Sequence, residues 1–286
     1  KLLFLTFICI IIATAASCSG KEAPAPSTGI SEWAGVLMQT VPDNTPFVAM
    51  LDIETLRSDP DLRPYYTDRE AWFYNVSLSF NDVFDFNQMD YWVSCTYGDL
   101  ITGSFDIEAT QRILADDSWL QSNYENFSVF EKENCWGQKE NIALVEEFII
   151  GGLNSLGNSI IDTIKGKQPS IYENGDFQDL MTQLPANSFE ISYGNNEFAT
   201  SDGTSIRLLA GNSISKLDNT SLKYTYIVIS KDNPLSDQTI EDLVDGLGDY
   251  NEAFTRTEIL VTRHGSYVTI IADIPISSFS GSTSTP

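Results

Sequence analysis

The sequence predicts an α+β fold: antiparallel sheets with helices on one face, arranged as two tandem β-α-β-β units. Three observations carry that expectation. Strand-like runs pair around tight turns, MDYWVSCTYG with DLITGSFD at Gly98-Asp99 and TRTEILVTRH with SYVTIIADIPI at Gly265-Ser266. Apolar stripes at helical spacing lie between such runs: Leu153, Leu156, Ile160, Ile161 and Ile164, then Phe177, Leu180, Met181 and Leu184. An order also recurs. DLITGSF, IEATQRILADD, FSVFEKENCWG and IALVEEFII are echoed by YTYIVIS, SDQTIEDLVDGL, FTRTEILVTRHG and YVTIIADIP, with Tyr124 and Tyr250 at matching points.

In chain order, Ser31 caps a first helix that turns Ile30, Ala34, Leu37 and Met38 to one side and stops before Pro42. PFVAMLDI then reads as a strand. Residues 54–66, broken by Pro60 and Pro64, read as loop with short helical turns. Residues 67–86 are ambiguous: Thr67 and Glu70 form a capping-box pattern, while FYNVSLSF alternates like a strand. Asp106 caps a helix through Asp116 with Ile113 and Leu114 inward, and ENFSVFEKE, Cys135-Trp136 and NIALVEEFII follow as strands. Asp176 suits the cap of the helix that ends at Pro185. SFEISYG, a Gly/Asn/Ser/Thr-rich region holding the short strand SIRLLAG, and LKYTYIVIS come next. Ser236 caps a helix with Ile240, Leu243, Val244 and Leu247 inward, and SSFSGSTSTP reads as an unpacked tail.

Composition sets the bounds. Hydrophobic residues make up 42% and aromatic residues 12% of the chain, enough to bury real cores. The formal charge of −24 repels nucleic-acid phosphates, which argues against nucleic-acid binding, and the spread of acids along the chain reads as a solvated surface. A single histidine, His264, rules out a multi-imidazole metal site and H-E-x-x-H, and no cofactor is expected. Gly166-Lys167 lacks the glycine a phosphate loop needs four residues earlier, and no G-x-S-x-G elbow offers His264 a nucleophile. Asp82, Asp85 and Asp90 cluster near Asn81 and Asn87, and Asp116-Asp117 and Glu146-Glu147 are adjacent, but none has calcium-loop spacing. The rings from Tyr65 to Trp92 could stack on sugars, yet burial is the ordinary fate of such side chains.

The first eighteen residues decide where the chain works. Lys1 precedes an apolar run, Leu2 to Ala16, too short at ~1.5 Å per residue for a spanning helix, and small residues follow. Ala15-Ala16-Ser17-Cys18 resembles the lipobox of bacterial lipoproteins, although Ala15 stands where Leu, Val or Ile is commoner. The resemblance covers only this leader. It implies cleavage before Cys18, lipidation of the Cys18 thiol, and a membrane-anchored, extracytoplasmic protein. Cys9 has the wrong neighbours for a cut site. Removing residues 1–17 takes away one Lys and no acid, which moves the formal charge from −24 to −25. Residues 18–30 then form a lipidated cysteine and a Pro-rich spacer.

The remaining body divides into an α+β unit at 31–186, a second at 187–276 and the tail at 277–286. Outside the cytoplasm Cys95 and Cys135 either bridge or stay as separate thiols, since two cysteines fix connectivity but not proximity. The body carries no motif by which a family is named. The expected function is an exported, lipid-anchored binding or scaffold module, with no catalytic residue singled out. The alternatives are a secreted carboxylate-dependent hydrolase and a ligand-capturing lipoprotein of a transporter.

Overall fold

Alternating apolar side chains on both sides of one strand require a layer on each face, and the centre of this molecule is built that way. The computed structural model describes residues 32–76, 83–134, 136–145, 148–199, 205–230, 235–250, 254, 257–265 and 267–279. In them the chain runs α1 (Glu32–Met38), β1 (Phe47–Asp52), α2 (Ile53–Ser58), a 3₁₀ turn (Pro60–Leu62), α3 (Arg63–Val76), β2 (Met89–Cys95), β3 (Gly98–Gly103) and α4 (Ile107–Asp116). Four strands follow: β4 (Leu120–Tyr124), β5 (Phe127–Glu133), β6 (Lys139–Val145) and β7 (Phe148–Leu153). Then come α5 (Gly157–Ile164), α6 (Gly175–Met181), β8 (Ser188–Ala199), β9 (Ser205–Lys216), β10 (Ser221–Ser230), α7 (Asp237–Tyr250), β11 (Ile259–His264) and β12 (Tyr267–Pro275).

The α+β class with an antiparallel sheet is borne out, and the strands form one sheet of twelve in the order β11-β12-β10-β9-β8-β1-β2-β3-β7-β6-β5-β4. Helices cover both of its faces, where the sequence reading placed them on one. Leu51, Trp92, Ile101 and Ile142 pack on one side with Tyr65, Phe73, Leu114 and Leu243 from α3, α4 and α7. Val48, Met50, Val93, Leu100 and Ala143 pack on the other with Leu37, Met38, Ile160, Phe177 and Leu180 from α1, α5 and α6. Each fully buried side chain of this size contributes about 1.5–3 kcal/mol, so both layers hold the sheet.

Several elements differ from the sequence reading. Residues 63–76 are one helix that starts at Arg63 rather than Thr67. Pro64 sits in its first turn, where its missing N–H costs nothing, and the Thr67 hydroxyl donates to the Arg63 carbonyl instead of capping. NIALVEEFII is two strands, β6 and β7, and an unforeseen β4 precedes β5. Asn174, not Asp176, caps α6 by accepting from the Asp176 and Phe177 amides. The Gly/Asn-rich region becomes the long strands β8 and β9. Ile113 is 46% exposed, whereas Leu114 is buried. The tail packs over its first residues: Ile276–Phe279 is a 3₁₀ turn with Phe279 buried. As expected, Asp106 and Ser236 cap α4 and α7, and Gly265 turns the last hairpin at φ 59°. Cys95 ends β2, whose neighbours are β1 and β3.

The strand order is symmetric about the β1–β8 contact. Outward from it, β1-β2-β3-β7-β6 is matched by β8-β9-β10-β12-β11, with α4 and α7 making the same crossover after β3 and β10. The sequence agrees once the structure aligns it. Leu37-Met38, Val41-Pro42, Asn44 and Thr45 correspond to Leu180-Met181, Leu184-Pro185, Asn187 and Ser188, each 143 residues later. Backbone hydrogen bonds correspond too: Thr40 to Leu37 and Gln183 to Leu180, Val41 to Met38 and Leu184 to Met181, Thr45 to Pro42 and Ser188 to Pro185. Ala49 pairs with Ser192, its own counterpart at that same spacing of 143, so a pseudo-two-fold axis passes between them. The molecule is a duplicated unit joined edge to edge.

Candidate functional site

One insertion breaks the symmetry. The segment from α2 to α3 follows β1, whereas β8 runs on to β9 through residues 200–204 alone. The inserted arm lies across the axis on the second half. Lys216 at the end of β9 meets Asp59 and Asp61 beside the 3₁₀ turn, both at 2.7 Å. From α3, Tyr65 and Arg69 stand one turn apart and reach Glu190 on β8. The Tyr65 hydroxyl donates to Glu190 Oε2 at 2.5 Å, Arg69 Nε donates to the same oxygen at 2.7 Å, and Arg69 Nη2 donates to the Tyr65 oxygen at 2.6 Å.

Beside this triad lies a small cleft of about 40 Å³, partly open to solvent, lined by Arg69, Glu190, Asn212, Tyr224, Phe254 and Phe279 with two isoleucines. Burial works against the Arg69 charge, but the Glu190 carboxylate and Tyr65 outweigh it and hold the guanidinium protonated. Burial pushes the Tyr65 phenol well above its ordinary range, so it stays a donor. The Asn212 amide donates to the Ser192 hydroxyl at 2.6 Å, while Tyr224 and Phe254 meet edge to face. The charged groups are committed to each other, and the remaining lining is buried rings and isoleucines with the half-buried Asn212 amide.

A half-buried acid lies in the first half. Asp99 on β3 accepts from Trp92 Nε1 at 3.1 Å. Burial pushes its carboxyl up to about 6 against the opposing hydrogen bonds from Ser94 and Trp92. Sequence reasoning missed both this acid and the triad. Arg69 and Glu190 are 121 residues apart, and only the crossing arm brings them together.

The residues singled out from sequence are mostly engaged elsewhere. Asp85 caps the turn at Phe86–Gln88, Asp90 pairs with Arg57, and Asp117 binds Lys132 and the Trp119 indole. Asp82, Glu146 and Glu147 lie outside the described residues, as do Cys18 and Cys135. Cys95 carries a free, half-buried thiol that burial pushes up to about 11. His264 ends β11, exposed and stacked on Tyr267. Of the aromatic run, Tyr65, Tyr66, Phe73, Phe84, Phe86 and Trp92 are buried, and Trp72 stays 40% exposed. Among the described residues, no group of three or more His, Cys, Asp or Glu side chains could hold a metal ion.

No family profile matches the chain, and no curated protein matches it. Among solved structures, the Erythrobacter litoralis EL346 blue-light activated histidine kinase aligns over 85% of this chain and 98% of its own. The identity is 12% and the TM-score 0.15, a likeness that carries no argument.

Proposed function

We propose that this is an exported, lipid-anchored surface protein whose body is a binding or scaffold module rather than a catalyst. The observation that carries the reading of the body is the state of the Arg69 cleft. The Glu190 carboxylate is engaged by a guanidinium and a phenol rather than presented as a base, and what remains beside it is a narrow cleft of mostly buried rings with one amide. The reading of location rests on the leader. Acyl chains on Cys18 add ~0.8 kcal/mol per buried methylene, and two or more chains make a stable anchor. The spacer at 18–30 then leads into α1, and the acidic body stays off an anionic surface.

Metabolic labelling with a clickable fatty acid in a bacterial host tests the anchor. The parent chain is expected to take label and sediment with membranes, and Cys18→Ser to lose both properties. Equal label and equal sedimentation in the two would refute the proposal.

A further inference from the structure

Symmetry shows what each strand position accepts, and one position is left unfilled. In the first half β6 pairs with β7 on one side and β5 on the other. Its counterpart β11 pairs with β12, and among the described residues its outer edge has no neighbour. Over its first four residues that edge lacks the usual protections against strand addition, and its one charged residue, Arg263, stands near the far end. Residues 259–262, ILVT, hold no charge and no proline, and the β11–β12 register runs without a bulge. Leu260 is 59% exposed and Val261 37%. We propose that a second copy of this chain occupies the place β5 takes in the first half, its β11 pairing antiparallel with this one.

Charge selects both the occupant and the register. Two chains of formal charge −24 repel, so they meet where the charge is locally balanced. The opposite sheet edge is flanked by Asp116, Asp117 and Glu125, whereas residues 251–264, β11 and its approach, hold two acids, Glu252 and Glu258, against Arg256 and Arg263, with His264 neutral at pH 7. Opposed residues in an antiparallel pair must both turn their amides toward the partner strand or both away. A strand therefore pairs with its own copy about a residue, not between two. Centring on Val261 sets Leu260 against Thr262 and Glu258 against His264, the latter pair twice across the two-fold. Arg263 is already held by Asp237 and the Leu235 carbonyl of its own copy. Such a contact falls below the ~1,200 Å² of standard interfaces and is weak in dilute solution. Confinement to one membrane surface raises the effective concentration and favours it.

Two differently tagged full-length copies, co-expressed and extracted in mild detergent, provide the test. Parent copies are expected to co-purify. Val261→Lys in both copies sets like charges against each other on the axis and should cut co-purification at least tenfold, as should Val261→Asp in both. One copy of each should restore it, which a merely misfolded pair would not. The proposal fails if parent copies do not co-purify, if the paired lysine variants co-purify like the parent, or if the mixed pair stays as poor as the matched ones.

Discussion

The two halves share one plan and differ in what was added to it. The first half carries the arm from α2 to α3 and the outer strands β4 and β5; the second carries neither. The shared parts are packing: Leu37, Met38 and Val41 fill one layer as Leu180, Met181 and Leu184 do. The additions hold the chemistry, because the arm supplies Tyr65 and Arg69 to a strand of the other half. The duplicated frame gives rigidity, and the asymmetric insertion makes the cleft.

The largest effect should come from cutting the arm loose. Arg69→Ala leaves the partly buried Glu190 beside the Tyr65 phenol with its countercharge gone, a change that costs up to about 3–5 kcal/mol. Chemical denaturation should show it, and a loss under 1 kcal/mol would mean that the arm is not held there. Next come the equivalent methionines. Met38 and Met181 are both buried at matching positions, so truncation of either to Ala should cost about 2–5 kcal/mol. The two losses should lie close together. A large loss at one and none at the other would break the correspondence.

The register sets Tyr226 in the second half where Asp99 stands in the first, so only the first half carries a carboxyl at this position. The folded Asp99 carboxyl is raised to about 6 from an ordinary value of 3.8. The folded state thus holds the proton more tightly. That contribution is complete below the unfolded value and is lost as pH rises through 6. Asp99→Asn should therefore gain up to about 3 kcal/mol relative to the parent above pH 7 and little below pH 4. A pH-independent difference would contradict the assignment. The smallest effect is expected from Lys216→Ala, which removes a partly exposed contact to Asp59 and Asp61. It should destabilise less than Arg69→Ala, and its cost should shrink in high salt. A loss as large as that of Arg69→Ala would shift the main attachment of the arm to Lys216.

Much of the frame was legible in the sequence because its signals are local. The Gly265 hairpin, the Asp106 and Ser236 caps and the stripe of Phe177, Leu180, Met181 and Leu184 each stand in a few consecutive residues. The full lengths of β8 and β9 were not legible: the short strand SIRLLAG marked only the start of β9, because Gly, Asn and Ser are poor strand formers and pairing with β1 and β10 holds the rest in place. The duplication was visible only in part. The β-α-β-β echo aligned β3 with β10, but the arm between β1 and β2 shifts the spacing and hid the match of Leu37-Met38 to Leu180-Met181. The cleft was invisible, because Glu190 reads as one more acid in SFEISYG until α3 is laid over it.

Joining the halves into one sheet has a direct optical test. All five tryptophans, at positions 33, 72, 92, 119 and 136, belong to the first half, while the helices and strands that give the far-ultraviolet dichroism come from both. If β1–β8 pairing and the arm make one cooperative body, urea unfolding followed by tryptophan fluorescence and by circular dichroism should give a single, coincident midpoint. A fluorescence transition clearly separated from the dichroism transition would show that the halves unfold independently, and would contradict the account.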